Sequence, residues 1–505
     1  MIDLIRRERP RVVGVSIMYD LHITDAVRLI ECARIADPDV FIVLGGAFCT
    51  YNAKLILESV PSVDCVTFGE AELTIVGLLD RLSAGRDWRD VPGIYFHAGD
   101  RVRTSGMPVL PDLAQLVWPA RDTLAANRAA GVPTPVASTF TSRGCHAKCT
   151  FCYAPRQPGV HGNPWRFRPA VDVVDEIEYL QRDFGTRFIW FNDDNFGGAF
   201  TDGFRHTMEF AEEMIRRELK ISFHCEFRVD SGLIDHEVLD VLTRAGLRSA
   251  LLGIESGSPS MLKRFRKGTT VAYNFDAARI FRAKQIELDP GWIMIDPETT
   301  LDELWEDLEF IITSDIHRND NPFVLINRAI ALRGTEMFDL IDPARVSPGP
   351  AGGADPASVI LRQARREYRV TDTRVEDLWE VWSSLGGKIS DRRDADVPFM
   401  ASRLAQAARS IRRSGGTGSA TPLALLAGLR RWRNGLPELF SAFITLSLLL
   451  ADGDPPGLRA ALETQLQEMV DEYDRSCTGF AFDDLVGHVR ENYGSFMPVP
   501  HPTAA

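Results

Sequence analysis

The sequence predicts an α/β protein in three parts: a truncated Rossmann-like α/β domain over residues 1–106, a partial (β/α)6 barrel over 137–345 and an α-helical C-terminal domain over 357–505. Apolar strands alternate with helical periodicity through the first two parts, which implies parallel sheets covered on both faces. A proline-punctuated linker over 107–136 separates those parts, and a second Pro/Gly-rich linker, Val346–Pro356, precedes the purely helical region.

The first ninety residues predict a small sheet with helices. Short apolar segments typical of buried strands cover Arg11–Ser16, Val40–Gly46 and Val63–Phe68, and helical spacing covers Thr24–Ala36. A hairpin is expected near Gly93–Arg103.

From Ala137 the alternation of strand and helix restarts and gives six βα units in series without a topological break, which favours a partial barrel over an open sheet. The predicted strands are Ala137–Ser142, Arg187–Asn192, Ile221–Phe227, Ser249–Ile254, Leu288–Ile295 and Phe323–Leu332. Thr300 and Glu303 predict a capping box at the start of one of the helices.

Composition limits the partners. The chain has 505 residues, 25% of them charged, and a formal net charge of −13, which disfavours nucleic acid and anionic membrane surfaces. The N-terminus lacks the pattern of a secretory signal, and the apolar run Leu439–Ala451 is shorter than the roughly 20 residues of a membrane-spanning helix. We therefore expect a cytoplasmic protein that has no membrane partner and in which Leu439–Ala451 is a buried helix.

Three of the eight cysteines, Cys145, Cys149 and Cys152, lie within eight positions. A structural zinc site needs a fourth ligand, and no second cysteine pair lies within reach. A redox C-x-x-C would leave Cys145 without a role, and a disulfide framework fits neither a reducing compartment nor an odd count. The remaining interpretation is a cubic iron–sulfur cluster on three thiolates, with one iron open to a substrate or cofactor. The other cysteines are expected to be buried free thiols.

The segment C-H-A-K-C-T-F-C has the spacing C-x3-C-x-Φ-C, and the sequence resembles the radical S-adenosylmethionine (SAM) superfamily, specifically its members with a cobalamin-binding domain. Further segments follow in the order seen in those proteins: Leu116–Asp122, Trp165–Pro169, Trp190–Phe196, Cys225–Asp230, Leu251–Ser258 and Ile295–Thr300. The resemblance extends from Arg11 to Leu340.

The resemblance implies that Cys145, Cys149 and Cys152 hold a 4Fe-4S cluster whose fourth iron binds the amino and carboxylate groups of SAM. One electron then cleaves the sulfonium and yields a 5′-deoxyadenosyl radical. Phe151 would meet the adenine through its backbone; its alternative role is simple packing of the cluster loop.

Further SAM contacts are expected at the carboxyl ends of the barrel strands, where active sites of barrels form. Either Asp193 or Asp194 could bind the cationic amino group of SAM, or one of them could cap the next helix. Glu226 and Arg228 share a strand face and could meet the methionyl carboxylate or form a structural ion pair. Glu255 suits the ribose hydroxyls.

The same strand end carries Ser256, which is a further candidate contact with SAM and, alternatively, a helix N-cap. The sequence does not decide between these two roles.

The N-terminal part resembles the later strands of a cobalamin-binding domain. Ser16 could donate to the nucleotide tail, and Gly45 and Gly46 would let the backbone approach it closely. The chain begins where such a domain would enter its third strand. Either the true start lies upstream, or the domain is a remnant that supports the barrel or a partner, and the sequence does not decide whether cobalamin binds.

The resemblance implies a radical SAM enzyme that acts on a small-molecule substrate with an electron donor such as flavodoxin or ferredoxin. With cobalamin the expected reaction is C-methylation of a small metabolite. The alternatives are a cobalamin-independent rearrangement, cyclisation, dehydrogenation or C–C cleavage, modification of a peptide or carrier-bound substrate, and a non-catalytic iron–sulfur protein.

Overall fold

The computed structural model describes residues 1–159, 164–198, 200–230, 232, 234–318, 325–347, 355–390, 444 and 464. The described chain forms two compact units. The first contains Met1–Leu116, the described part of Lys148–Pro164, and Ile330–Arg369. The second contains Val117–Ala147, Trp165–Ala329 and the described residues from Val370 onward. Elements are numbered along the whole chain, so both units contribute to one series.

The first unit is a five-stranded sheet with helices. Its elements are α1 (Ile2–Glu8), β1 (Val12–Ser16), α2 (Ile23–Ala36), β2 (Phe41–Gly45), α3 (Ala47–Ser59), β3 (Cys65–Thr67), α4 (Glu72–Ser83), β4 (Ile94–Ala98), β5 (Arg101–Thr104), β13 (Ala331–Leu332), α12 (Glu336–Leu340), α13 (Pro356–Ala364) and β14 (Arg365–Arg366). The sheet has the order β1-β2-β3-β4-β5. Strands β1, β2 and β3 are parallel, and β4 and β5 form the expected antiparallel hairpin.

Alternation along β2 places apolar side chains on both faces of this sheet. Ile42 and Leu44 enter one hydrophobic core with α2, α3 and α13. Val43 enters the other core with Leu78 of α4 and Phe96 of β4. A sheet covered on both faces is what the sequence predicts for this part.

The second unit contains the barrel strands. Its elements are α5 (Asp122–Ala129), β6 (Val136–Thr139), β7 (Ser142–Arg143), β8 (Arg166–Phe167), α6 (Ala170–Phe184), β9 (Phe188–Phe191), α7 (Phe200–Arg216), β10 (Ser222–Arg228), α8 (His236–Ala245), β11 (Leu247–Glu255), α9 (Pro259–Arg264), α10 (Val271–Ala283), β12 (Glu287–Trp292), α11 (Leu301–Thr313) and α14 (Thr373–Ser390). Five strands form one parallel sheet in the order β6-β9-β10-β11-β12. The two-residue strands β7 and β8 pair antiparallel beside it.

Five of the six predicted barrel strands are therefore present, whereas the prediction of a sixth over Phe323–Leu332 is wrong for its described residues. Arg328 contributes one parallel bridge to Ile295 in the second unit. Ala331 and Leu332 belong to the first unit, where they pair with β14. The apolar run is continuous in sequence, but its backbone hydrogen bonds are divided between two units, so no single strand forms.

Local signals at helix ends agree with the structure. The capping box at α11 is complete, because Thr300 accepts from the Glu303 N–H at 3.3 Å and the Glu303 carboxylate accepts from the Thr300 N–H at 3.0 Å. No described helix is long and apolar enough to span a membrane. The predicted helix Leu439–Ala451 lies outside the described residues except for Ile444, as does most of the predicted C-terminal domain. The predicted domain boundaries stay predictions.

Candidate functional site

The three clustered cysteines lie on a loop whose two ends are joined by the β7–β8 pair. Ser142 pairs with Phe167 and Arg143 with Arg166, so the chain leaves the sheet after β6, passes through the cysteines and returns at β8. Cys145 belongs to the second unit, whereas Cys149 and Cys152 belong to the first.

The three clustered cysteines differ in how far they are buried. Cys145 and Cys149 are each 8% exposed, Cys152 is half-buried, and none of the three is in a disulfide. Phe151 is half-buried in the same loop.

Two adjacent aspartates that follow β9 bind the start of this loop. The buried carboxylate of Asp193 accepts from the N–H groups of Thr141 and Ser142, at 3.0 and 2.5 Å, and from both of their hydroxyls at 2.6 Å. Burial raises the pKa of Asp193 to about 6, against the lowering effect of these donors. Asp194 is exposed and accepts from the Gly144 N–H at 3.0 Å. The structure thus gives the two predicted candidates different environments.

The end of β10 extends toward the cysteine loop within the second unit. Arg228 is buried and donates to both carboxylate oxygens of Asp230 at 2.8 Å, and to the Lys267 carbonyl. Burial and the charge of Arg228 lower the pKa of His146, the residue after Cys145, while Asp230 raises it. Arg228 therefore forms an ion pair with Asp230, a partner that the sequence analysis did not name, and its predicted pairing with Glu226 stays a prediction. Glu226, on the same strand face, is half-buried.

At the end of β11, Glu255 forms an ion pair that the sequence did not predict. Its Oε1 lies 2.8 Å from Nζ of Lys267, and both residues are buried. The Glu255 backbone adopts the left-handed region, with φ +67°. Lys267 follows α9 in a segment with no recognisable motif, so no sequence signal pointed to it.

Ser256 is fully buried and serves the fold. Its hydroxyl donates to Asp307 of α11 at 2.7 Å and accepts from the Ser258 N–H at 2.9 Å. Burial raises the pKa of Asp307 well above its ordinary value. These contacts support a structural role for Ser256, and its predicted contact with SAM stays a prediction.

The candidate cobalamin residues lie together at the ends of β1 and β2. Ser16 is exposed and pairs in register with Gly45. Gly46 has φ +100°, and a Cβ there would come within 2.5 Å of the Ile17 carbonyl oxygen. A Cβ at Gly45 would come 2.6 Å from Thr67 Oγ1. Close packing within the first unit therefore already requires both glycines, and it shapes the strand ends next to Ser16.

The remaining described cysteines differ from the three in the loop. Burial raises the pKa of the Cys49 thiol to about 12, and it raises the pKa of Cys65 and of Cys225 above the ordinary value. Buried thiols of this kind are inert. The prediction of buried free thiols is confirmed for Cys49, Cys65 and Cys225, whereas Cys32 is free but only half-buried. Cys477 lies outside the described residues.

Three thiols on one loop suit a cubic cluster, in which each thiolate binds a different iron. Within the described ranges, no three His, Cys, Asp or Glu side chains converge as ligands for one metal ion. Thiolates on separate irons do not need to converge in that way, so the donor set of the loop fits the cluster.

Family comparisons agree with this division of the chain. Residues 139–311 match the model of the radical SAM superfamily, and residues 1–79 match that of the B12 binding domain. The first match begins at the last residue of β6 and ends within α11, so it includes the cysteine loop and the four parallel strands β9 to β12.

Individual proteins show the same similarity. An uncharacterized methyltransferase of Pyrococcus horikoshii is 27% identical over 62% of this chain and 66% of its own length. The anaerobic magnesium-protoporphyrin IX monomethyl ester cyclase of Rubrivivax gelatinosus is 28% identical over 59% of this chain and 54% of its own length. The chain thus spans between about half and two thirds of these relatives.

Among solved structures, the cobalamin-dependent SAM radical enzyme OxsB, with aqua-cobalamin and SAM bound, superposes with a TM-score of 0.68. The match covers 99% of this chain and 75% of that one at 18% identity, and it therefore shows the fold.

Proposed function

We propose that this chain, which belongs to the radical SAM superfamily through residues 139–311 and carries a B12 binding domain at residues 1–79, is a cobalamin-dependent enzyme that methylates carbon in a small metabolite. The observation that carries the proposal is the presence of two matched domains in one chain, together with a three-cysteine loop bound by Asp193 and Asp194. A relative named as a methyltransferase supports the reaction class.

Cys145, Cys149 and Cys152 would hold the 4Fe-4S cluster. When bound, the cluster supplies the electron that cleaves SAM. The structure supports this assignment because Asp193 and Asp194 bind the backbone that leads into Cys145, which restricts the positions that its thiolate can reach.

Asp194 is the better of the two aspartates for the cationic amino group of SAM. Its carboxylate is exposed, and it binds the N–H of Gly144, immediately before the first cysteine. Asp193 is buried and accepts from four donors of Thr141 and Ser142. A carboxylate held this way orients the loop, and we assign no contact with SAM to it.

Glu255 would accept from the ribose hydroxyls of SAM, at the edge of the sheet where the parallel strands end. Arg228 would support this edge through Asp230 and the Lys267 carbonyl, and its proposed contact with the methionyl carboxylate is secondary. Glu226, half-buried on the same face of β10, would lie toward the substrate.

Ser16, Gly45 and Gly46 would hold the nucleotide tail of cobalamin at the ends of β1 and β2. Ser16 is exposed there. Gly46 has no side chain, and a Cβ at this position would collide with the Ile17 carbonyl oxygen. Cobalamin would supply the methyl group.

The test is anaerobic reconstitution with iron, sulfide and hydroxocobalamin, followed by analysis of bound metals and of SAM products. We expect a 4Fe-4S cluster, bound corrinoid, and both 5′-deoxyadenosine and S-adenosylhomocysteine under reductant. Detection of 5′-deoxyadenosine with neither corrinoid nor S-adenosylhomocysteine would reject methylation. Bound zinc in place of iron, or SAM left intact, would reject the radical enzyme altogether.

The second candidate is a radical reaction without methyl transfer, such as a cyclisation. The similarity to a protein named as a cyclase supports it. In the test above, this reaction consumes SAM to 5′-deoxyadenosine without S-adenosylhomocysteine. Rearrangement, dehydrogenation, C–C cleavage and the modification of a peptide or carrier-bound substrate would give the same pair of results and are separated by the product.

A reductant is required for either reaction, and we propose a flavodoxin or ferredoxin as its source. Because an iron–sulfur cluster with an open iron is sensitive to oxygen, we place the enzyme in the reducing cytoplasm.

A further inference from the structure

Lys267 brings a buried positive charge to the carboxyl edge of the parallel sheet. Its ammonium lies 2.8 Å from Oε1 of Glu255, and the two residues are 4% and 8% exposed. Both charges have lost most of their hydration, and replacing such a buried pair by apolar residues is often neutral or stabilising. Stability alone therefore does not explain the pair, and no role described above uses the side chain of Lys267.

The sheet is built to admit this lysine. Gly253, two residues before Glu255 on β11, lies beside the ammonium, because a Cβ at that position would collide with Lys267 Nζ and come 2.8 Å from Glu255 Oε1. Its register partner on β12 is also a glycine, Gly291. The missing side chain at Gly253 thus leaves the space that the lysine head group occupies, whereas a Cβ at Gly291 would come 3.3 Å from the Cα of Gly253.

Glu255 is held in a conformation that non-glycine residues rarely adopt. Its φ of +67° costs conformational energy, and such strain persists only where neighbouring groups enforce it. The buried side chain of Asn274 donates to the carbonyls on either side, those of Ile254 at 2.9 Å and Ser256 at 3.1 Å. The Glu255 carbonyl itself accepts from the Ile293 N–H at 2.9 Å.

The backbone on both sides of the pair is also fixed. Asp307 accepts from the Ser256 hydroxyl at 2.7 Å and from the Gly257 N–H at 2.6 Å, which holds the turn after Glu255. Arg228 donates to the Lys267 carbonyl while it is paired with Asp230. Neighbouring hydrogen bonds therefore hold both members of the ion pair.

We propose that Lys267 is a positioning residue that fixes the Glu255 carboxylate as the acceptor for the ribose hydroxyls of bound SAM. The inference rests on the proposed function and adds a residue to it. Lys267 engages Oε1 and fixes the orientation of the carboxylate, and Oε2 then accepts from the ligand. A hydroxyl bonded to a charged carboxylate is held more strongly than one bonded to a neutral acceptor.

The test measures SAM binding to the Lys267→Met variant, reconstituted anaerobically and kept without reductant so that SAM stays intact. The same titrations use 2′-deoxy- and 3′-deoxy-SAM. We expect Lys267→Met to weaken SAM binding about 10-fold, the size of one charge-assisted hydrogen bond. For the analogue that lacks the hydroxyl bound by Glu255, wild type and variant should bind within about 2-fold of each other.

A matched control is Lys284→Met, because Lys284 forms a lysine–carboxylate pair of similar length, 2.6 Å to an exposed Asp240, outside this site. It should bind all three ligands as the wild type does. Lys267→Arg retains the charge and should recover part of the lost affinity. Iron content and circular dichroism show whether each variant is folded, and Glu255→Gln, which keeps the size of the side chain, gives the same comparison if Lys267→Met fails to fold.

Equal losses for SAM and both deoxy analogues would overturn the role of Lys267, because they indicate a general structural defect. Unchanged SAM binding by Lys267→Met would overturn it as well. A wild-type protein that holds the cluster but does not bind SAM would instead overturn the proposed function, and the role of Lys267 with it.

Discussion

Asp193 and Asp194 are adjacent in sequence but differ in what they contact. Asp193 is 2% exposed and its carboxylate accepts from two backbone N–H groups and two hydroxyls, whereas Asp194 is exposed and accepts from the Gly144 N–H. Both carboxylates bind the start of the cysteine loop, Asp193 from a buried position and Asp194 from an exposed one. Which of the two aspartates can bind SAM therefore depends on how deeply its carboxylate is buried in the folded protein.

Replacing Asp193 by Asn should disorder the start of the cysteine loop. In the variant an NH2 group takes the place of one carboxylate oxygen and cannot accept from the donors of Thr141 and Ser142. Each buried donor left unsatisfied costs about 1–3 kcal/mol. We expect a lower Tm and fewer iron atoms per chain after reconstitution. The control is Asp202→Asn, at an exposed residue of α7 that pairs with Arg205. Wild-type iron content in Asp193→Asn would contradict the assignment.

The burial of His206 predicts that the second unit loses stability in acid. It is 2% exposed, lies against Trp165 and Phe167, and its ring nitrogens have no hydrogen-bond partner among the described residues. Burial lowers its pKa to about 4. The unfolded chain therefore binds a proton that the folded chain does not, and stability is lost as the pH falls from about 6.5 to about 4.

The size of this effect is at most roughly 3 kcal/mol, from the difference of pKa between the two states. Urea denaturation at pH 7 and pH 4.5 would measure it. Between the two pH values, His206→Phe should lose less free energy of unfolding than the wild type. His236→Gln, at an exposed position, should lose as much as the wild type. An identical pH dependence in wild type and His206→Phe would show that other groups cause the acid sensitivity.

At the scale of elements, α13 shows how a correctly predicted helix can have an unexpected partner. Its sequence has the signals of a helix start, with Pro356 at the first position and Asp355 accepting from the Ser358 N–H at 3.0 Å. Its buried residues, Ala357, Ile360 and Ala364, have helical spacing and enter the core formed by α2 and α3. A stripe of this kind predicts that a helix is buried but not which surface it covers.

Ile360→Ala should therefore destabilise the first unit rather than a separate C-terminal domain. The side chain is fully buried, and its truncation is expected to cost about 2–5 kcal/mol. Chemical denaturation, followed by hydrogen exchange of α2 and α3, would measure the loss and locate it. Gln363→Ala, on the exposed side of the same helix, is the control. Protection of α2 and α3 at the wild-type level would contradict this packing.

At the scale of the whole molecule, the two family matches fall in different units, and we expect their binding functions to be separable. The B12 binding match lies within the first unit, and the parallel strands β9 to β12 of the radical SAM match lie within the second. Each unit has its own sheet and its own strand order. A change confined to the ends of β1 and β2 should therefore affect corrinoid and leave SAM binding intact.

Gly46→Ala tests this separation. The added Cβ would come within 2.5 Å of the Ile17 carbonyl oxygen at φ +100°, so the ends of β1 and β2 must move apart. We expect loss of bound corrinoid in the visible spectrum, with iron content and SAM binding close to those of the wild type. Gly85→Ala is the control, since Gly85 also has a positive φ, +64°, but has open space around it. If Gly46→Ala bound corrinoid at the wild-type level, the ends of β1 and β2 would not be part of the cobalamin site.

The sequence by itself determined the elements whose signals are local. Periodicity predicted the strands of the first sheet and five of the six barrel strands, Thr300 and Glu303 predicted a capping box, and the cysteine spacing with its resemblance predicted the family. These signals can be detected in the sequence because residues close together in the chain produce them.

Only the tertiary structure decided the rest, because it depends on residues distant in the chain. It divided the predicted sixth strand between two units, placed α13 in the first core and distinguished Asp193 from Asp194. It also placed Lys267 beside Glu255, in the space next to Gly253 of the same strand, β11. A lone lysine in a loop has no periodicity, so its role is defined by the carboxylate that it meets in the folded protein.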